Sequence, residues 1–163
     1  MNNLREELVR IIRLNKERWT PTSVVLEQLD KEFGDSIPGL IECLTDGHPE
    51  IRHLTVQRLA VGRPRSDVAV SALVERMSDE DWLVVTTTMH VLGDFGSLAV
   101  AGMPMIEKWL ESPNEFLRVL AAITIVKIDP NRTEFLPDIR EAMKSDHPVA
   151  ADIAREFFDG TML

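Results

Sequence analysis

Apolar residues recur along this chain in blocks of helical spacing, and the blocks themselves recur 33 positions apart. Leu59, Leu92, Ile125 and Phe158 share one register; Leu54, Thr87, Leu120 and Ile153 share a second, with no gap between copies. The block before each of these repeats as well: Pro38, Ser71, Pro104 and Pro137; Leu40, Leu73, Ile106 and Ile139; Leu44, Met77, Leu110 and Met143. Each interval is long enough for a helix, a polar turn and a second helix. Such a unit cannot bury its apolar face alone, so neighbours must cover one another. The pattern predicts an all-α, right-handed α-solenoid of about five antiparallel helix pairs in a single domain spanning 1–163, with units near 1–34, 36–65, 66–98, 99–130 and 131–160.

The local signals fill in this frame. Leu4, Leu8, Ile11 and Ile12 have helical spacing over 3–15, and Thr20-Pro21 reads as the start of a second helix that ends at Gly34. This first pair is diverged, since Glu7 stands where the later units place a leucine or isoleucine, as a terminal unit with one solvated face allows. Val84-Val85-Thr86-Thr87-Thr88 is β-branched throughout and by propensity would be a strand. The penalty for keeping it helical is about 2 kcal/mol in all, which a packed face outweighs, so a helix is expected. Ser112-Pro113-Asn114-Glu115 predicts a capping box with Ser112 as the N-cap. His48 and His147 fall in equivalent turns, with Asp81 and Asn114 at the same place in the units between them, and the two histidines are expected to cap the helices that follow.

Composition narrows the function classes. The chain has 27 acidic and 18 basic residues among 163, a formal charge of -9, which disfavours general nucleic-acid binding and contact with anionic lipid. Arg5, Arg10, Arg13, Lys16 and Arg18, with Arg52, Arg58, Arg63 and Arg65, could still form one positive end. The single cysteine, Cys43, has no internal partner and is expected to be a buried thiol in a reducing compartment. MNNLREELVR carries charges where a secretory signal would be apolar, and no run approaches 18 uninterrupted apolar residues, so a cytoplasmic protein without a membrane span is expected.

Residues 114–130, with Asn114-Glu115-Phe116-Leu117-Arg118 opening a helix and Ile128-Asp129-Pro130 closing it, resemble a HEAT repeat of the short bacterial type found in phycobilisome-lyase-like repeat proteins. His48-Pro49-Glu50-Ile51-Arg52 repeats the opening and Leu92-Gly93-Asp94-Phe95-Gly96 gives the Leu-Gly ending, so the resemblance covers about 36–159. It implies five HEAT-like helix pairs, with the second helix of each pair lining a concave face, and use as a scaffold or adaptor. Chromophore-lyase accessory subunits and DNA-binding repair proteins are the alternatives the resemblance brings with it. It also implies an arginine that holds each turn, which Val85 and Ala151 replace in the third and fifth units.

On that geometry the residues turned toward the groove include Arg52, His53 and Gln57, then Thr86, Met89 and His90, then Arg118, Val119, Ile123 and Val126. An aliphatic patch of Met89, Val119, Ile123 and Val126 flanked by Arg52 and Arg118 would suit another protein or peptide, or a second copy of the chain. The alternative is that the helices bury this stripe among themselves. His53 and His90 have no third ligand in view, so no metal or other cofactor is expected. Neither a nucleophile paired with a base nor a phosphate-binding glycine loop is legible, which leaves a non-catalytic interaction module as the expectation.

Overall fold

The computed structural model describes residues 4–18, 37–62 and 67–161. Among these the protein is all-α, with no strand. The α-helices are α1 (Leu4–Arg18), α2 (Ile37–Cys43), α3 (Pro49–Gly62), α4 (Asp67–Glu75), α5 (Trp82–Phe95), α6 (Met103–Glu107), α7 (Glu115–Ile128), α8 (Leu136–Ala142) and α9 (Pro148–Thr161). Short 3-10 turns extend α4 over Arg76–Ser78, follow α5 over Gly96–Gly102, extend α6 over Lys108–Glu111 and precede α8 over Thr133–Phe135. The helix expected over 20–34 lies outside the described residues. The β-branched run 84–88 is helical, inside α5.

Two compact units divide the chain, Met1–Thr87 and Thr88–Leu163. In the first, α3 packs on both α1 and α2, and α2 on α4. Its core includes Leu8, Cys43, Ile51 and Leu54, edged by Leu4, Val9 and Ile12. Burial, followed by the nearby charges of Asp46 and Glu42, pushes the Cys43 thiol above its ordinary range, which marks it as a packing residue. In the second unit α7 is central, packed against α6, α8, α9 and the flanking 3-10 turns. The repeat ladders point inward: Leu59, Leu92, Ile125, Leu73, Ile106 and Ile139 are fully buried. The prolines at 38, 104 and 137 are exposed and sit in the first turn of their helices, where an N–H would have no acceptor within the helix.

The turn between the two helices of a unit is built the same way four times. A side-chain oxygen accepts the backbone N–H two residues on: Asp46 from His48 (2.9 Å), Asp79 from Asp81 (3.0 Å), Ser112 from Asn114 (3.2 Å) and Ser145 from His147 (3.0 Å). At three of the four turns the residue that donates this N–H then caps the helix with its own side chain. Asp81 Oδ1 accepts from Leu83, Asn114 Oδ1 from Phe116 and His147 Nδ1 from Ala150; at His48 the bonds described are backbone ones, its carbonyl accepting from Ile51 and Arg52 in the ordinary first turn, so the cap expected of its side chain is not among them. The N-cap of α7 is therefore Asn114 and not Ser112, because Ser112 is spent on the turn one step earlier.

An arginine inside the helix closes two of these turns. Arg52 Nη1 donates to the Asp46 carbonyl and Arg118 Nη1 to the Ser112 carbonyl, each at 2.8 Å and each across 6 residues. Arg52 goes further. Its Nε and Nη2 grip Asp79 in the next turn at 2.8 and 2.7 Å, a bidentate pair whose side chains are 6% and 3% exposed. Arg76 adds its own Nη1 to the Leu44 carbonyl at 3.0 Å. Positions 85 and 151, where the arginine is replaced, hold buried Val85 and Ala151.

At the end of α5, Gly96 takes φ +56°, a left-handed conformation that ends the α-helix where the Leu-Gly pattern places its end. Gly93 lets α7 come close: a Cβ there would meet the Lys127 side chain at 3.2 Å. The helical run Trp82–Glu111 is long and apolar enough, by length and composition, to cross a membrane, yet 56% of its most apolar window is buried within the protein, as in an ordinary core helix.

Removing one half of the buried pair leaves the other charge stranded. Arg52→Ala should lower unfolding stability in urea by about 3 kcal/mol. Burial raises the Asp79 carboxyl, but hydrogen bonds and charge from Arg52, with the Asp81 N–H, more than reverse this and hold it below the usual aspartate value. The folded protein thus binds the proton less well than the unfolded chain. The pair's contribution is complete above the unfolded value of about 3.9 and is lost as pH falls through the lower folded value. Asp79→Asn should flatten this acid limb of the stability profile, measured by urea unfolding from neutral pH downward.

Candidate functional site

The expected open stripe is closed. Met89, Val119, Ile123 and Val126 are 0%, 8%, 5% and 7% exposed, and Thr86 is buried with its hydroxyl donating to the Leu83 carbonyl. Every residue of α7 from Val119 to Val126 is buried, so this helix has no solvated face over that stretch. Val119, Ile123 and Val126 belong to one core cluster with Ile139 and Ala142 of α8 and Ala150, Ala154 and Phe157 of α9. The physical reason is that α7 is packed on several sides, and a helix so placed is apolar around its circumference and not in a stripe. Arg52, taken as a groove residue, is a buried ion-pair member of the fold.

The polar residues of the expected groove fare differently. His53 is half-buried, and burial lowers its pKa more than the charge of Asp81 raises it, so it favours the neutral imidazole. Gln57 is half-buried and its Oε1 is enclosed with no hydrogen-bond partner among the described residues. His90 is exposed on α5; desolvation by its surroundings and then Lys127 shift it toward the neutral form, against Asp94 and Glu156. No group of three or more His, Cys, Asp or Glu among the described residues is arranged to hold a metal ion. Of the basic clusters, Arg5 pairs with Asp46 and Arg10 with Glu7, and Arg58 is buried.

Two cavities lie within the unit Thr88–Leu163, and four of the expected residues line them. Ile123 and His90 border a cavity of about 390 Å3 with Lys127, Glu156 and Phe157. Arg118 and Val119 border a larger one, about 440 Å3, between α7 and α8. Its apolar lining comes from Leu110, Val119, Ala122, Phe135 and Ile139. Arg118 and Lys144 supply cationic groups, Glu115, Asp138 and Glu141 carboxylates, and Ser145 a hydroxyl. Phe135 is held at the wall by the Arg132 guanidinium, stacked 5.1 Å above its ring. Arg132 is itself anchored on Glu107 and Glu134.

With an apolar lining and charges of both signs, this cavity can take a short chain segment or a small molecule of mixed polarity. Most of its wall lies away from the second helices, to which the sequence pattern points for binding residues. Leu110, Phe135, Ile139 and Ser145 come from first helices and turns. The usable signal was the same 33-residue shift applied to polar positions, where Asp46, Asp79, Ser112 and Ser145 form a register of their own.

The two helix pairs across α2 to α5 share a side-chain-folded turn, closed from inside by Arg52 in the first pair and by no arginine in the second, where Val85 stands. Residues 37–102 match the family model for HEAT repeats. The HEAT-like match covers the pairs α2–α3 and α4–α5 and ends with the 3-10 turn Gly96–Gly102. The strongest resemblance seen in the sequence, at 114–130, lies beyond the matched span. No curated protein matches the chain.

With the stripe in the core, a carboxylate placed there must unfold the unit. Ile123→Asp should destabilise the protein by about 3 kcal/mol or more and reduce its helical circular dichroism signal at room temperature. A folded, equally stable variant would contradict the burial of this position.

Proposed function

We propose that this protein is a non-catalytic interaction module of HEAT-like repeat type, built on five helix pairs, that binds an extended segment of a partner protein. The cavity between α7 and α8 carries the reading, because it joins an apolar lining to charged groups at a size suited to one or two side chains of a bound segment. The all-α repeat architecture supports it, since short units packed side by side present helices and turns as rigid walls for a ligand. Phe135, half-buried and braced by Arg132, is the aromatic contact such a segment would meet. The proposal keeps the protein or peptide partner expected from sequence and moves it from the inner stripe to the α7–α8 cavity.

Selection of a displayed library of random dodecapeptides on the full-length protein tests this. Enriched peptides are expected, and in a 15N-labelled sample they should shift the backbone amides of Arg118, Ala122, Ile139 and Ser145. Phe135→Ser, at a half-buried position, should weaken their binding about tenfold while the fold persists. Absence of enrichment, or peptides whose shifts fall on other surfaces only, would refute the proposal.

A further inference from the structure

The turn register contains one imbalance. Arg52 uses Nη1 on the carbonyl of its own turn and the Nε–Nη2 edge on the carboxylate of Asp79, 27 residues on. Arg118 stands two repeats later and uses Nη1 in the same way, on the Ser112 carbonyl. The residue 27 positions beyond it is Ser145, neutral and too short to offer two oxygens. The Nε–Nη2 edge of Arg118 has no partner among the described residues, although Arg118 and Ser145 border the same cavity. Between these two repeats the register changes consistently: Val85 takes the arginine position and Ser112 the position that would answer it, so neither charge is present. Only at Arg118 does the cation remain while its acid is gone.

We infer that Arg118 receives a carboxylate from the partner: an Asp or Glu side chain of the bound segment sits beside Ser145 in the place that Asp79 occupies against Arg52. The guanidinium presents the planar two-donor edge that matches a carboxylate, and its position is already fixed by the Ser112 carbonyl, so little freedom is lost on binding. Lys144 adds a second positive charge at the same cavity. Glu115, Asp138 and Glu141 on its walls would repel a purely acidic ligand. The segment that fits therefore carries one acid for Arg118, an aliphatic residue for the lining of Leu110, Val119 and Ile139, and a basic residue toward the three carboxylates. The mixed charge separates it from a free acidic tail, and the inference rests on the interaction reading given above.

The decisive comparison uses full-length wild type, Arg118→Gln and Ser145→Asp as baits for the same dodecapeptide library, with thermal unfolding of each free protein alongside. Wild-type binders should share an Asp or Glu at one position, and changing it to Asn or Gln in a synthetic binder should weaken binding at least about tenfold. Both variants should lose the acidic preference, Arg118→Gln because the fork is gone and Ser145→Asp because the chain's own carboxylate fills its place. Ser145→Asp should also raise the Tm of the free protein, and that gain should vanish in the Arg118→Gln, Ser145→Asp double variant. Should Arg118→Gln fail to fold, Arg118→Lys takes its place and should weaken the acidic peptide, since it keeps the charge without the fork. Cavity-bound peptides with no shared acid, or equal binding to wild type and the Arg118 variant, would overturn the inference while leaving the interaction reading intact. Failure to enrich any peptide would overturn both.

Discussion

Everything in the two units hangs on how a short turn satisfies the first N–H groups of the helix after it. Those groups have no partner within the helix, and in a chain of closely packed helix pairs they cannot all be left to water. Here a side chain at position 46, 79, 112 or 145 folds the turn, and in the last three of these the residue two places on caps the helix. The turn is then short and rigid enough to hold the two helices of a pair against each other. Where an arginine is present one helical turn further in, it locks the turn from inside through a backbone carbonyl. A carbonyl accepts whatever the side chain at that position, so the lock survives the change from Asp46 to Ser112.

The same economy explains why the apolar stripe is not a groove. A helix of 14 residues in the middle of a packed unit, such as α7, has neighbours on several sides, and the chain supplies aliphatic or small residues for all of them. Val119, Ile123 and Val126 serve α8 and α9, while Leu120, Thr124 and Ile125 are buried on the other sides of the helix. Thr124 is admitted because its hydroxyl bonds the Leu120 carbonyl within the helix. The larger of the two spaces left open is the gap between α7 and α8, with Phe135 and Arg118 in its wall.

Charge follows the same logic. Although the chain is acidic overall, several of its arginines are consumed by the fold: Arg52 by Asp79, Arg132 by Glu107 and Glu134, Arg155 by Asp152 and the Met143 carbonyl. Arg118 differs in having its position fixed by the backbone and its outer edge unclaimed among the described residues. A cation that is held in place and lines a cavity is preorganised for an anion in a way that a solvated surface arginine is not.

The 33-residue repeat was enough to read the helical pairs and the inward ladders at 40, 59, 73, 92, 106, 125 and 139, and to set 84–88 as helix against its own β-branched propensity, because each copy of the unit meets the same neighbours; the cap at His147 was legible from its turn alone. The capping box was misplaced by two residues, since Ser112 and Asn114 are both good caps in isolation and only the folded turn divides the work between them. Which side of α7 would meet solvent could not be read from its sequence, for a helix apolar on all sides carries no phase. That was decided by α8 and α9 closing over it, and by the space left between α7 and α8, properties of the packing of distant segments that no local pattern encodes.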